Sequence, residues 1–299
     1  MADWNSALKG FKSYIRLERS LSDNTVEAYL RDVEKLYQYT ETIGSKSPDK
    51  IETEDLKKFI IWINELGMLP PTQSRVISGI KAFYKYLIIE NIISNDPAIL
   101  IESPKISRKL PDTLSIIDIN NLIAAIDHSK AEGMRNKAML EVLYGCGLRV
   151  SELINLKISN LHLNIEFIKV TGKGDKERLV PIGAEAVKYL NIYMNEQRVH
   201  LDIKPGKEDY VFLNRRGAPL SRVMVFIIIK DLAQNIGLKK NISPHTFRHS
   251  FATHLIEGGA DLRAVQEMLG HESITTTEIY THLDRDFLRN TIIQFHPRS

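Results

Sequence analysis

The chain has 299 residues, of which 43% are hydrophobic and 26% are charged. This length favours two domains, and this apolar content favours folded cores and excludes a disordered chain. Lysine and arginine together number 40 against 37 acidic residues, and the resulting net charge of +3 gives no strong indication of a nucleic-acid partner.

Three features of the sequence bear on the cellular compartment. Cys146 is the only cysteine, so an internal disulfide is impossible and a reducing environment is favoured. No apolar run is long enough to span a bilayer. Residues 1–5 do not combine a basic region with a following apolar segment, as a secretory signal would. We therefore expect a cytoplasmic protein with no membrane partner.

Residues 1–102 have the apolar spacing of helices and lack the alternation of strands. Ser22 is suited to cap one helix and Thr53 is suited to cap another. A third helical pattern follows Pro70 and Pro71. These signals predict a small bundle of roughly four or five helices.

Residues 103–112 separate this bundle from the rest of the chain. They are rich in proline and basic residues and show no periodicity, which predicts a linker. Ser115 and Asp118 then have the spacing of a capping box, which predicts the start of a new helix. Residues 113–299 are therefore predicted to form a second domain.

The second domain has a mixed pattern. A helical pattern that ends near residue 144 is followed by two strand-like segments, 166–170 and 178–182. They flank a glycine-containing turn at 171–176, and helices dominate again from residue 185. The whole chain is thus predicted to be mainly α-helical with a small antiparallel β-sheet.

Two arginines of this domain lie in settings that suit a phosphate. Arg248 follows His245 by three residues, so both share a helical face, and the guanidinium fork matches phosphate oxygens. Arg149 lies at a predicted helix start, where a cation is unfavourable unless an anion binds there too. Glu152, one turn later, is placed to orient that guanidinium. Taken singly, each pattern is common in proteins that bind no phosphate.

Three further residues have side chains suited to chemistry. Lys173 lies on the glycine-containing turn, although most such turns are merely solvated. Gly270 is suited to end a helix and to present His271 from a turn. Tyr280 follows an isoleucine, and a tyrosine in that setting most often packs in a core. The order of the five motifs is far more specific than any one of them.

That order resembles the tyrosine recombinase family, of the lambda integrase type. The resemblance covers nearly the whole chain, including the early pattern Ser22-x-x-Thr25-x-x-x-Tyr29-x-x-Asp32. It is greatest to the bacterial Xer recombinases, and the ending Phe295-His296-Pro297-Arg298 is similar to the XerD branch. The catalytic positions that match the family are Arg149, Lys173, His245, Arg248, His271 and Tyr280.

The resemblance implies a role for each position around the phosphate. Arg149 and Arg248 would hold the scissile phosphate, and His271 would contact it. Glu152 would be an accessory residue that supports the site. Fixed guanidiniums suit this task because attack concentrates negative charge on the non-bridging oxygens.

The remaining positions would make and break bonds. Tyr280 would be the nucleophile, and because a phenol has a pKa of about 10, it needs a base or a cationic field to attack. His245 would be an acid, a base or a hydrogen-bonding residue. Lys173 would protonate the leaving 5′ oxygen. No metal or other cofactor is expected, since His245 and His249 lack the glutamate of a zinc motif between them.

The resemblance also implies partners and architecture. A helical core-binding domain of the SAM-like type and a catalytic domain would hold double-stranded DNA at a specific recombination site. Four protomers, either all alike or together with a paralogous Xer-type recombinase, would exchange strands through a Holliday junction, and a DNA translocase would be a candidate regulator. The apolar tail, residues 284–295, would dock on a neighbouring subunit; the alternative is that it packs on its own domain.

The expected function is site-specific recombination that resolves chromosome dimers at cell division. A phage or transposon integrase is an alternative, although many of these carry an additional arm-binding domain. A type IB topoisomerase uses similar chemistry, but the tail and the N-terminal module favour a recombinase. A DNA-binding protein that has lost catalysis is disfavoured by the intact residue set.

Overall fold

A computed structural model describes residues 3–104, 112–172, 175–270 and 282–299, the last with side chains from 285 onward. The chain divides into two compact units, Met1–Lys109 and Leu110–Ser299. This division falls within residues 103–112, but since 105–111 lie outside the described ranges, the linker stays a prediction. In the described ranges, no helix is both long and apolar enough to cross a membrane.

The first unit is helical, as predicted. Its helices are α1 (Trp4–Ser13), α2 (Asp23–Thr42), α3 (Thr53–Glu65) and α4 (Pro70–Ile89). A π-helical turn, Tyr14–Glu18, continues α1, and a 3-10 turn, Pro48–Lys50, precedes α3. Ser22 lies at the N-cap of α2, and its hydroxyl is 2.9 Å from that of Thr25. Pro70 is the first residue of α4, where its missing N–H costs nothing.

The cap of α3 differs from the prediction. Thr53 is already the first helical residue, and its hydroxyl donates to the carbonyl of Pro97 at 3.0 Å. Glu52 occupies the N-cap, and its backbone N–H donates to the Asp55 carboxylate at 3.0 Å. The threonine was the wrong choice because its hydroxyl serves a tertiary contact instead of the helix end.

The helices of this unit enclose an aromatic core. The Trp4 and Phe83 rings stack with centroids 5.8 Å apart, and Phe11 meets Phe83 edge-on at 5.3 Å. Asp32 is fully buried on α2 and accepts a hydrogen bond from Arg75 on α4. Because a buried carboxylate needs such a partner, this pair fixes α2 against α4.

The second unit combines helices with one small sheet. Its helices are α5 (Ile116–Ala124), α6 (Gly133–Gly145), α7 (Val150–Ile154), α8 (Ala184–Ile192), α9 (Arg222–Asn235), α10 (Pro244–Gly258), α11 (Leu262–Leu269) and α12 (His282–Phe295). Its strands are β1 (Leu161–His162), β2 (Phe167–Thr171) and β3 (Glu177–Pro181). Short 3-10 and π turns lie at Ile158–Asn160, Leu163–Ile165, Tyr193–Gln197 and Arg198–His200. Ser115 caps α5 and forms the predicted capping box with Asp118.

The sheet is antiparallel in the order β1-β2-β3. In the β2–β3 hairpin, Val170 lies opposite Arg178 and Thr171 lies opposite Glu177. Both strands are displaced by one residue from the predicted segments. Glu166 has a left-handed φ of 60°, so it precedes β2 instead of beginning it. The predicted fold class, mainly helical with a small antiparallel sheet, is confirmed.

Helix α6 lies at the centre of this unit. It packs against α8 and α10, and its residues from Ala138 to Gly145 are all buried. A helical segment that is buried on every face shows no amphipathic stripe, and residues 138–145 are accordingly apolar apart from Glu141. Its C-terminal end leads directly to Arg149, so α6 supports the candidate site.

The end of the chain packs on its own unit. Leu288 and Ile292 of α12 are in the core of the second unit, and His296 is buried beside the ring of Tyr144. Phe287 and Ile293 stay half exposed on the other side of α12. The structure therefore has the arrangement that we gave as the alternative, and docking on a neighbouring subunit stays a prediction.

Candidate active site

Arg149 owes its position to the turn that follows α6. Gly147 in this turn has a φ of +57°, and a Cβ there would lie 2.4 Å from the Phe251 ring, so only glycine fits. Arg149 is then the N-cap of α7, and its backbone N–H donates to Glu152 Oε2 at 2.7 Å. Its side chain is 34% exposed, and Nη1 donates to Glu152 Oε1 at 2.8 Å. One edge of the guanidinium thus faces Glu152, and the remainder of the side chain is partly open to solvent.

Glu152 is a buried carboxylate that several arginines contact. Its side chain is 1% exposed and accepts hydrogen bonds from both Arg149 and Arg178. Burial acts to raise the pKa of Glu152, but the hydrogen bonds and charges of Arg178, followed by those of Arg149, outweigh it and lower the pKa. Glu152 is therefore ionised at neutral pH.

Arg248 connects two chain segments of the site. Nη1 donates to the Gly147 carbonyl at 2.9 Å, and Nη2 donates to the Leu269 carbonyl at 2.5 Å. Nη1 also lies 3.8 Å from Glu152 Oε2. Burial first, and then the positive charge of Arg149, lower the pKa of Arg248 to about 10. The group is still a cation at neutral pH.

Arg178 is the residue of this cluster that our sequence analysis missed. It lies on β3, and its guanidinium donates to both Glu152 oxygens at 2.8 and 3.0 Å. Nε donates to the Met268 carbonyl at 2.8 Å, near the end of α11. Alternation along β3 places Arg178 on the buried side with Val180. A charged residue at an inward-facing strand position was the signal that could have revealed it.

Among the residues that the structure describes, the cluster carries more positive than negative charge. Three guanidiniums, those of Arg149, Arg178 and Arg248, surround the one carboxylate of Glu152. Two of these arginines are buried, and burying unbalanced charge is unfavourable. An anion beside the exposed part of Arg149 would balance the excess. A phosphodiester has the charge and the oxygen geometry for this place.

His245 lies on α10, one turn before Arg248 of this cluster. Pro244 is the first residue of α10, as predicted, and Ser243 at the N-cap pairs with Thr246 in a capping box. One turn separates His245 from Arg248, and the histidine is exposed while the arginine is buried. The histidine side chain is therefore open to solvent, one helical turn from a buried arginine of the cluster.

Lys173, His271 and Tyr280 lie outside the described residues. The residues that precede the first two are described, and both lie against the arginine cluster. A Cβ on Gly172 would be 3.6 Å from Arg178 Nη1 and 3.8 Å from Glu152 Oε1. Gly270, with a φ of +64°, ends α11 as predicted, and a Cβ there would be 3.0 Å from Arg178 Cδ.

Potential metal ligands do not converge in the part of the chain that the structure describes: no three His, Cys, Asp or Glu side chains form such a group there. Cys146 is fully buried, and burial raises the pKa of its thiol. His254 Nδ1 is 2.7 Å from the Tyr144 hydroxyl. Cys146 is therefore part of the core, and His254 is held by a tyrosine hydroxyl. The expectation of a metal-free site stays a prediction.

Comparison with known families assigns both units. The Phage integrase family profile matches residues 113–286, which include the whole arginine cluster. The chain belongs to the phage integrase family. The profile named "Phage integrase, N-terminal SAM-like domain" matches residues 8–91 of the helical unit.

The relatives of this phage integrase family member include proteins named tyrosine recombinase XerD. The one from Oceanobacillus iheyensis is 46% identical over 294 residues, which cover 98% of this chain and 99% of the relative. The one from Chlorobaculum tepidum is 45% identical and covers 99% of this chain and 98% of the relative. The family predicted from the residue order is thus confirmed, and the chain is a site-specific tyrosine recombinase.

Solved structures show the same fold. The Tn1549 transposon integrase in complex with transposon right end DNA has a TM-score of 0.74 at 20% identity, covering 89% of this chain and 92% of that one. The XerH site-specific recombinase bound to difH substrate, in a pre-cleavage complex, has a TM-score of 0.68 at 22% identity, covering 93% and 94%. At these identities the likeness concerns the fold alone.

Proposed function

We propose that this recombinase cuts and rejoins DNA at a specific site through a covalent 3′-phosphotyrosine on Tyr280. The observation that supports this most is the excess of positive charge around Glu152, which is open to solvent at Arg149. A scissile phosphate bound there would receive hydrogen bonds from the outer edge of Arg149. Family membership supports the reaction class, and the positive charge of the cluster supports this place for the phosphate.

The chemistry follows from the charge of the phosphate. Attack by the Tyr280 oxygen places a second negative charge on the non-bridging oxygens, and Arg149 and Arg248 stabilise it. The bond to the 5′ oxygen of the next nucleotide breaks, and that oxygen takes a proton from Lys173. His245 takes the phenol proton of Tyr280 as the oxygen attacks, and His271 contacts the phosphate. Because the energy of the phosphodiester is kept in the phosphotyrosine, resealing needs no ATP.

The biological role that we propose is the resolution of chromosome dimers in the cytoplasm. The full-length similarity to proteins named XerD supports it. Four protomers would hold two DNA duplexes and exchange strands through a Holliday junction, with a paralogous Xer-type recombinase as a possible second subunit and a DNA translocase as a possible regulator. Phosphate contacts would supply much of the affinity, which should therefore fall steeply with salt.

The test is to map covalent protein–DNA adducts on chromosomal DNA and to rebuild the site as a nicked suicide duplex. We expect an adduct with the wild-type chain and none with Tyr280→Phe. Tyr189→Phe, a tyrosine of α8 beside Lys137, is the matched control and should form the adduct normally. An undiminished adduct with Tyr280→Phe would contradict the assignment of the nucleophile.

The same experiment separates the possible roles and the cofactor question. Adducts at one chromosomal site support dimer resolution, whereas adducts at the ends of mobile elements support the role of an integrase. A chelator should leave the yield unchanged, because the fixed arginines supply the positive charge. Loss of the adduct on chelation would contradict the metal-free mechanism.

A further inference from the structure

Arg178 has an unusual position for a buried cation. It is 8% exposed and lies on strand β3, whereas Arg149 caps helix α7 and Arg248 lies on helix α10. All its donor nitrogens have partners: two bonds to Glu152 and one to the Met268 carbonyl. A cation that is desolvated to this degree stays in place only because these partners are fixed.

Arg178 fixes the orientation of the Glu152 carboxylate by donating to both of its oxygens. Both oxygens of the Glu152 carboxylate accept hydrogen bonds from Arg149. Oε1 accepts from the Arg149 side chain, and Oε2 accepts from the Arg149 backbone N–H. Without Arg178, Glu152 would be free to turn about its side-chain torsions and to follow Arg149 outward. With Arg178 bound in the bidentate geometry, the carboxylate plane is fixed, and so is the edge of Arg149 that faces it.

Arg178 also lies between the segments that lead to Lys173 and His271, two residues outside the described ranges. Gly172, directly before Lys173, lies beside its Nη1, and Gly270, directly before His271, lies beside its Cδ. The backbone N–H of Gly172 donates to the Lys176 carbonyl at 2.7 Å, which closes the base of the hairpin two residues before Arg178. One side chain thus touches the hairpin base, Glu152 and the end of α11.

We propose that Arg178 is a positioning residue for the DNA cleavage that we assign to this chain. By fixing Glu152, it holds the Arg149 guanidinium toward the phosphate. The inference rests on the proposed function. Among the described residues, the three guanidinium nitrogens of Arg178 bond Glu152 and the Met268 carbonyl, so we expect its effect to pass through Glu152 to Arg149.

The test is a double-mutant cycle on the nicked suicide duplex, made with Arg178→Met, Arg149→Ala and both together. The rate of adduct formation is measured under single-turnover conditions with all DNA bound. We expect Arg178→Met to lower the rate of adduct formation in the bound complex by on the order of 100-fold. The double variant should be no more than about 3-fold slower than Arg149→Ala, because coupled residues are not additive.

Two further variants separate positioning from stability. Arg198→Met removes another buried arginine of the same unit, which donates to the Tyr210 carbonyl at 2.8 Å and is absent from the cluster. It should retain the cleavage rate within about 3-fold even if it is less stable. Arg178→Lys keeps the positive charge but loses the forked guanidinium, so it should cleave faster than Arg178→Met and more slowly than the wild type. If the methionine variant does not fold, Arg178→Lys replaces it in the cycle.

The outcomes are distinguishable. If the wild-type chain forms the adduct but the losses in the cycle are additive, the inference is overturned and the proposed function stays intact. The same holds if the wild-type chain forms the adduct and Arg178→Met reacts at a rate close to that of the wild type. Absence of a Tyr280-dependent adduct with the wild-type chain would overturn both.

Discussion

Arg298 donates from Nε to Glu141 Oε2 at 2.7 Å and so joins the end of the chain to the central helix α6. The Glu141 side chain is 1% exposed. Burial raises the pKa of Glu141, and the hydrogen bond from Arg298 acts against that rise. A buried carboxylate that depends on one cation makes this contact a sensitive one.

Arg298→Ala should lower the free energy of unfolding by about 3 kcal/mol, because Glu141 is left buried without its partner. Arg289→Ala is the control, since its ion pair with Glu166 is largely exposed and should contribute about 1 kcal/mol or less. Urea denaturation at neutral pH measures both. Equal effects of the two variants would contradict the importance of burial here. The deficit of Arg298→Ala should also shrink as the pH falls, since protonated Glu141 no longer needs a cation.

His296 should make the stability depend on pH. Burial first, and then the charges of His254 and Arg298, lower the pKa of His296 to about 3. Since the folded pKa lies below the unfolded value near 6.5, the unfolded state binds the proton first, and stability is lost as the pH falls below that value. His296→Phe should reduce the slope of unfolding free energy against pH between 6.5 and 4.5 by up to about 1.4 kcal/mol per pH unit. An unchanged slope would show that this histidine is not held neutral.

Gly147→Ala should disturb both stability and cleavage. The residue has a positive φ, and a Cβ would meet the Phe251 ring at 2.4 Å, so we expect a loss of about 3 kcal/mol or more. Gly206→Ala is the matched control because its φ is +75° and nothing lies within 4 Å of its Cβ. It should cost only the backbone strain of about 1 kcal/mol. Thermal unfolding compares the two, and similar losses would rule out the steric explanation.

Lys173→Ala should slow cleavage by on the order of 100-fold, because the leaving 5′ oxygen would depart without a proton. A suicide duplex with sulfur in place of that oxygen should restore most of the rate, since a thiolate leaves at neutral pH without such help. Lys176→Ala, an exposed lysine on the same hairpin, should cleave both duplexes normally. If sulfur does not rescue the Lys173 variant, Lys173 is not the general acid.

The sequence predicted the elements well where local chemistry decides them. The capping box of Ser115, the entry of α10 at Pro244 and the end of α11 at Gly270 all depend on neighbouring residues, and all three were predicted correctly. The threonine at 53 was misjudged because a distant carbonyl takes its hydroxyl. A tertiary contact of that kind leaves no periodic signal.

The site was predicted in part. Arg149, Glu152 and Arg248 lie together as the residue order implied, because that order reflects a shared fold. Arg178 was missed, since its partners are 26 and 90 residues away along the chain. The alternation along β3 with Val180 was the one local signal, and the structure confirms that this side chain is buried. The roles of Lys173, His271 and Tyr280 stay predictions, because these residues lie outside the described ranges.

The complete burial of Ala138–Gly145 in α6 has a consequence for how the molecule opens. A helical segment with no solvent-facing side can lose its hydrogen bonds only when the layers around it separate. Its backbone amides should therefore be among the last of this unit to exchange with deuterium, close to the rate of global unfolding. Since the turn carrying Arg149 begins where α6 ends, the anion-binding group is attached to the slowest-exchanging part of the chain.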